Sequence, residues 1–358
     1  MESPAAFSAC SASHAFKNTM TTNERVAAFV ALGERLAAIS DEDFANLAIR
    51  VSIENRWFTA PNLRRAINGI AYMLHPAQLT ELLAGHPIKP VDSPKKIGVV
   101  MAGNIPFAGF HDSLCVLLSG HVLMARLSAS DKALPTYVLD LLCEIEPRMK
   151  ELILISDRLN DAEAYIATGS DNTARYFEYY FRNKPHIIRH NRNSAAILTG
   201  KETELELTEL ADDIFAYFGL GCRNVTKLFV PAGYDFFPLL DSLAKYPSLN
   251  EHTKYMNNYE YHRALFMLNL APYTDTGTLL VREAESLSSP PSVMHYGTYA
   301  DAESLKAELE GLRPKLQCVV ATGTSVWPEA LPFGTAQLPN VWDFADGVDT
   351  LKFLASLS

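Results

Sequence analysis

The longest apolar stretch, Ile97 to Ala125, reads IGVVMAGNIPFAGFHDSLCVLLSGHVLMA, and it constrains the fold more than any other segment. It is long enough to cross a bilayer as a helix. Its interior does not suit lipid. Asn104, Pro106, His111, Asp112 and His121 fall inside it, and each polar group would need a partner there, the aspartate at the highest cost. Gly103-Asn-Ile-Pro106 breaks the run in two. The segment is therefore expected to be strand, loop, helix and strand, buried in a core and not spanning a membrane.

What flanks it supports that reading. Residues 23–85 carry helical spacing, with Val26, Phe29, Val30, Leu36 and Ala37 on one face and Leu63, Ala66, Ile67, Ile70 and Leu74 on another. Ser40 with Asp43 resembles a capping box, and Thr59-Ala-Pro61 a helix start. From Lys96 onward short β-rich runs at 97–102, 121–127, 151–155, 164–167, 186–189 and 195–199 alternate with helical runs at 107–119, 134–145 and 172–181. Such alternation is the signature of a parallel α/β sheet. A second α/β unit follows from about Gly200, with strands at 225–230, 278–282, 293–296 and 316–320. The expected division is an N-terminal extension over 1–20, a first unit over 21–200, a second over 201–335 and a C-terminal segment over 336–358. The extension, rich in Ala and Ser, lacks the basic and apolar regions of a signal peptide and is expected to be disordered, with Met20 reading like a natural start.

Charge and cysteine narrow the function. The chain has 31 basic and 41 acidic residues, a net charge of −10. Nucleic-acid binders usually present a basic face, so neither nucleic acid nor an anionic membrane surface is an expected partner. Five cysteines, an odd number without a CxxC pair, suit reduced thiols in a cytoplasm and exclude a zinc-finger reading. No metal site is expected.

Ligands of open α/β sheets bind beyond the carboxyl ends of the strands. Three loops fall there, at 103–106, 128–131 and 168–172, each before a helix whose N-terminus has free N–H groups. No GxGxxG is present, so each loop alone also reads as an ordinary capped turn. Cys222 differs from the other thiols. It lies in Phe218-Gly-Leu-Gly-Cys-Arg-Asn224, with glycines before it and Arg223 after it. Arg223 or a helix terminus is expected to lower its pKa and supply thiolate, the competing reading being an inert buried cysteine. Cys115, Cys143 and Cys318 lie in apolar runs and read as core. His111-Asp112 reads as a polar helix start in preference to a dyad. The cluster at 189–193 reads as a solvated loop or, less readily, an anion site. The aromatic run 176–181 reads as helix packing.

In order along the chain, VVMAGNIPFAGFHD, ATGSDNTARYFEYYF, NRNSAAILTG, YFGLGCRNVTKLFVPAGYD and LPFGTAQLPNVWDFADGVDTLKFL make the sequence resemble the bacterial acyl-CoA reductases, of which the best known supply aldehyde for bioluminescence. These belong to the aldehyde dehydrogenase superfamily. The resemblance covers roughly Lys95 to the C-terminus. It implies an α/β protein with a Rossmann-type cofactor domain and an α/β catalytic domain. It implies NADPH as cofactor, NADH being compatible, and a catalytic cysteine matching Cys222. Asn104 matches the oxyanion-hole asparagine. Ala102, Gly103, Thr168, Gly169 and Ser170 match turns beside the cofactor. Arg126 and Ser128 match the adenosine-ribose position, where Arg replaces the usual Lys and suits a 2′-phosphate. An acyl-CoA or acyl-carrier substrate and a homodimer are consistent with the family.

Two departures matter. The block that carries a general-base glutamate in aldehyde dehydrogenases aligns with 191–198 and has no carboxylate. Without that base an acyl-enzyme is poorly hydrolysed, which favours reduction of a thioester. Near 286–290 no glutamate aligns with the one that holds the nicotinamide ribose, although Glu285 is close. The alternatives are an NAD(P)-dependent aldehyde dehydrogenase, an acyl-phosphate reductase, and a member that binds acyl groups without turnover.

Overall fold

The structure is a computed structural model and describes residues 20–169 and 171–357. The expected extension and Ser170 lie outside the described residues, except Met20. Met20 is buried and its carbonyl accepts from Arg25 Nη1 at 2.6 Å, so it belongs to the folded unit.

Four helices come first: α1 (Thr22–Ala37), α2 (Asp41–Glu54), α3 (Ala60–Met73) and α4 (Pro76–Gly85). Thr21 and Glu24 form a capping box for α1. Ser40 caps α2 by accepting from Asp43 N, half of the box expected from sequence. Phe29 and Leu36 of α1 and Leu63 and Ile67 of α3 are buried, members of the helix-spaced stripes seen in the sequence.

The long apolar stretch folds as anticipated. β1 (Lys96–Val100), α5 (Phe110–Ser119) and β2 (Val122–Arg126) are followed by α6 (Ala133–Ile145), β3 (Ile153–Ile155), β4 (Ala164–Thr168), α7 (Asp171–Phe181) and β5 (His186–Arg189). Gly120 takes the left-handed conformation that ends α5. Among the described residues no helix is long and apolar enough to cross a membrane. The five strands are parallel in the order β3-β2-β1-β4-β5. Chain direction across this sheet reverses between β1 and β4, the topological switch point where such sheets bind ligands.

The second sheet contains β6 (Asn193–Ile197), then, after α8 (Glu204–Phe215), β7 (Val225–Pro231). Next come α9 (Phe237–Ala244), α10 (Thr253–Leu268), β8 (Thr274–Asp275), β9 (Leu280–Glu283) and β10 (Val293–Tyr299). The chain continues through α11 (Ala302–Leu312), β11 (Leu316–Ala321) and α12 (Thr350–Ala355). The order is β11-β6-β7-β10-β9-β8, with only β8 antiparallel. The expected boundary at 200 is therefore too late. β6 pairs with β7 and β11, so the sheets divide in the link at 190–192. That link is only three residues between two short apolar strands, and nothing in its composition marks a domain edge.

The link also joins the carboxyl end of the first sheet to the amino end of the second. The C-terminal segment recrosses the junction. Asp213 accepts from Gly334 N at 2.7 Å and Ala336 N at 3.0 Å on the second unit. His111 Nε2 donates to the Val341 carbonyl at 2.7 Å, and Gln78 Oε1 accepts from Val341 N at 3.0 Å, on the first. Residues 334–357 are thus a strap over both sheets, and α12 packs on α5.

Candidate active site

Cys222 sits just before β7, at the amino end of the second sheet. The chain reaches it through three successive left-handed residues, Tyr217 (φ 52°), Phe218 (φ 58°) and Gly219 (φ 77°). For the two non-glycine residues this costs about 1–2 kcal/mol each, so something must hold them. Asn62 Oδ1 accepts from Tyr217 N at 3.1 Å, and the Phe218 ring stacks on His252 with centroids 4.0 Å apart. Asn224 completes the fastening. Its Oδ1 accepts from Gly221 N at 2.8 Å, and its Nδ2 donates to the carbonyls of Asp213, Ile214 and Ala216 at 3.1, 3.2 and 2.7 Å. The last turn of α8 and the cysteine loop are one rigid piece.

The loop after β1 meets this piece from the first sheet. The Asn104 side-chain amide donates to the Leu220 carbonyl at 2.8 Å, and a Cβ on Gly221 would lie 3.6 Å from Ile105 Cγ2. Asn104 and Cys222, matched from sequence across more than a hundred residues, thus come from loops in direct contact. The Asn104 side chain is exposed and its amide has a second N–H. Phe107 is also left-handed (φ 62°), and its N–H is accepted by Asp131 Oδ2 at 3.2 Å. Asp131 is buried, its Oδ1 has no partner, and desolvation pushes its carboxyl up to about 7.

Behind Cys222 lies a small polar knot. Ser194 Oγ donates to the Cys222 carbonyl at 3.0 Å, accepts from Cys318 N at 3.2 Å and lies 3.1 Å from Cys318 Sγ. Arg223 donates to the Ala336 carbonyl at 3.1 Å and pairs with Asp343 at 4.0 Å. The Cys222 residue is exposed, yet the protein packed around its sulfur dominates and pushes the thiol up, Arg223 opposing. The expectation that Arg223 yields a low-pKa thiolate is corrected here. The cation acts in the expected direction, but desolvation outweighs it.

In the 189–193 cluster His190 and Asn191 are exposed, as a solvated loop would have them, while Arg189 is buried. Arg189 forms a buried ion pair with Asp112, Nη2 to Oδ1 at 2.8 Å, and donates to Thr350 Oγ1 at 2.8 Å. Asp112 is thereby a structural partner and His111 serves the strap, so the two form no dyad. Arg192 Nε lies 3.5 Å from Asp346 Oδ1, and Asp346 Oδ2 accepts from His190 N at 3.2 Å. His190, Arg192, Asn193, Glu285, Lys315 and Asp346 are among the residues lining a cavity of about 750 Å³. Burial pushes the Asp346 carboxyl up, and its charge acts on Cys222. In the aromatic run, Phe177 and Phe181 pack, Phe181 stacking on Tyr165 at 3.9 Å, while Tyr176, Tyr179 and Tyr180 are exposed.

The residues matched to a cofactor gather at the first sheet's carboxyl edge. Ala102 and Gly103 leave β1, Thr168 and Gly169 leave β4, and Arg126 and Ser128 leave β2. β1 and β4 flank the switch point. A Cβ on Gly103 would sit 2.3 Å from Ser128 Oγ, and one on Gly169 3.0 Å from Thr173 Cβ, so both turns need glycine for close approach. Ser128 Oγ is engaged by this packing and by Ser130 N at 3.2 Å, which makes it a shaper of the loop. Arg126 is exposed at the strand end. Glycine turns at the strand ends with a nearby exposed cation are chemically suited to a dinucleotide.

No family model matches the chain, and no curated protein matches it. Solved structures do. Indole-3-acetaldehyde dehydrogenase, in complex with NAD+, superposes with a TM-score of 0.63 at 12% identity, covering 86% of this chain and 74% of that one. The fold is that of the aldehyde dehydrogenases. An aldehyde dehydrogenase from Pseudomonas aeruginosa gives 0.62 at 12% identity, over 86% of this chain and 78% of that one. One from Mycobacterium tuberculosis, complexed with NAD+, gives 0.60 at 14% identity, over 87% and 75%.

Sequence reasoning missed Asn224, Ser194, Asp131 and Asp346. Asn224 left a signal, a buried-type position two residues after Cys222 occupied by a side chain that can bond several backbone groups. The others act through contacts remote in sequence.

Proposed function

We propose that the chain reduces an acyl thioester, such as an acyl-CoA, to an aldehyde with NADPH, through an acyl-cysteine at Cys222. The observation that carries the reading is the contact between the Asn104 loop and the Cys222 loop, 2.8 Å from Asn104 Nδ2 to the Leu220 carbonyl. That contact between the loops carrying Asn104 and Cys222 supports reading the two as amide donor and nucleophile of one site.

Each residue then has a task. Cys222 gives up its proton to solvent, its sulfur attacks the thioester carbonyl, and the C–S bond forms as the coenzyme A thiolate leaves and takes up a proton in turn. The second Asn104 N–H and the Cys222 backbone N–H steady the tetrahedral oxyanion. A donor of this kind contributes about 3–4 kcal/mol. Ala102, Gly103, Thr168 and Gly169 would cradle a nicotinamide dinucleotide, with Arg126 toward a 2′-phosphate. When bound, that cofactor supplies hydride to a carbonyl. Collapse of the resulting thiohemiacetal releases aldehyde and the Cys222 thiolate. β6 presents Asn193, Ser194, Ala195, Ala196 and Ile197 and no carboxylate, which supports thiol exchange and reduction over hydrolysis.

One observation favours a second reading, oxidation of an aldehyde to an acid. Asp346 is a carboxylate of raised pKa whose charge acts on Cys222, from a part of the chain where the aldehyde dehydrogenase block does not look for one. Steady-state assays separate the two. Cofactor oxidation with acyl-CoA, and none with acyl phosphate, supports the proposal. Cofactor reduction with aldehyde alone, releasing acid, supports the second reading.

A further inference from the structure

The turn that carries Asn104 is pinned at both ends by side chains from elsewhere in the fold. Upstream, Asn55 Nδ2 donates to the Gly103 carbonyl at 3.3 Å. Downstream, the Phe107 N–H donates to Asp131 Oδ2 at 3.2 Å. Asn104, Ile105 and Pro106 lie between these two anchors. Phe107 is left-handed (φ 62°), a conformation that a bulky residue keeps only where its surroundings enforce it. Its carbonyl accepts from Phe110 N at 2.9 Å, so the same residue turns the chain from the loop into α5. Asp131 is itself fixed. Its N–H donates to the Ser128 carbonyl at 3.2 Å, and Glu54 Oε2 accepts from Lys132 N and Ala133 N, each at 3.0 Å. Glu54 and Asn55 are neighbours at the end of α2, so one helix end steadies both anchors. Asp131 is 2% exposed, and its Oδ1 has no partner. Burying a carboxyl in that way costs stability. Among the described residues, Phe107 N is the side chain's one hydrogen-bond partner.

We propose that Asp131 is a positioning residue for the reaction: by holding Phe107 in its left-handed conformation it aims the Asn104 amide at the oxyanion formed in acyl transfer to Cys222. The inference rests on the reading of Asn104 and Cys222 given above. Asp131 acts through the backbone, and an acceptor at Oδ2 is what the role requires. Without that acceptor the buried Phe107 N–H loses its partner, and the residue relaxes toward an ordinary backbone conformation. Asn104 is three residues away and moves with it. A displacement of about 1 Å at a reacting geometry can cost about 10²-fold in rate. A role in stability alone would lower the unfolding midpoint and leave kcat of the folded protein as it is.

The test is a double-mutant cycle on the full chain, read in kcat and KM with acyl-CoA and NADPH. Asp131→Leu should lower kcat by about 10- to 100-fold, with KM for acyl-CoA changed by less than about twofold. Asp131→Asn keeps an acceptor for Phe107 N and should hold kcat within about twofold of wild type. In an Asn104→Ala background the donor being aimed is gone, so Asp131→Leu should cost less than a further twofold or so, about the limit of additivity error. If Asp131→Leu does not fold, Asp131→Ala takes its place in the cycle. Losses that multiply across the cycle, an Asp131→Asn as slow as Asp131→Leu, or an Asp131→Leu with wild-type kcat would each overturn the inference while leaving the thioester reading in place. A wild type that reduces no acyl thioester would overturn both.

Discussion

Asn224 fastens Gly221 to the end of α8. Its side-chain oxygen accepts the Gly221 N–H at 2.8 Å while its nitrogen reaches the Ala216 carbonyl at 2.7 Å. One buried amide thus closes the strained turn that presents Cys222. Replacing Asn224 by Ala strands a buried N–H and leaves three carbonyls short of a donor. At about 1–3 kcal/mol per unsatisfied group, and with some relaxation, we expect a loss of about 2–4 kcal/mol in urea unfolding. Cys222 alkylation by iodoacetamide should change rate as the loop loosens. An unchanged midpoint and rate would remove Asn224 from the account.

Asn104 should affect turnover more than stability. Its side chain is exposed and makes one contact across the junction. Asn104→Ala is expected to lower kcat by about 10²–10³, with the unfolding midpoint shifted by less than about 1 kcal/mol. A large stability loss with kcat intact would recast Asn104 as a structural clamp.

Asp131 makes stability depend on pH. Its folded pKa is raised to about 7 by desolvation, from the ordinary 3.8, with Glu54 adding and the Phe107 N–H opposing. Between these values the folded chain holds a proton that the unfolded chain has released. Its contribution is therefore complete below about pH 4 and is lost as pH rises toward 7. Asp213 has the same shift and adds to the slope. Asp131→Asn keeps an acceptor for Phe107 N and cannot ionise. Its stability should fall less than wild type between pH 5 and pH 8. Equal slopes in the two proteins would contradict this assignment.

The Arg189–Asp112 pair, almost fully buried at 2.8 Å, should behave as such pairs do. Arg189→Leu leaves Asp112 uncompensated and is expected to cost about 3–5 kcal/mol, whereas the double change Asp112→Leu with Arg189→Leu should recover much of it. A double variant as unstable as the sum of the singles would show that Thr350, not Asp112, is the partner that matters.

Much of this was legible in the sequence because it is local. The capping at Ser40, the stop at Gly120 and the strand–loop–helix–strand over 97–125 follow from residue chemistry within a few positions. Cys222 stood out because glycines mark its loop at a strand end, whereas Asn104 lay in one of three unremarkable turns and only the family resemblance paired it with Cys222. The domain edge at 190–192 was not legible, since β5 and β6 have similar composition and only their partners tell them apart. The two-residue strand β8, the strap's anchor on Asp213, and the direction of the Cys222 pKa shift were hidden for the same reason. Each depends on what the fold packs against a residue, which a linear chain does not display. The burial that raises the Cys222 thiol comes from β6, β11 and the strap together.

The most direct test is intact-protein mass spectrometry after incubation with an acyl-CoA in the absence of nicotinamide cofactor. The account predicts one acyl group per chain, mapped to Cys222, lost on adding NADPH with release of the matching aldehyde, and absent from Cys222→Ala. A chain that consumes acyl-CoA and NADPH while never carrying acyl on Cys222, or whose Cys222→Ala variant turns over at the wild-type rate, would contradict it.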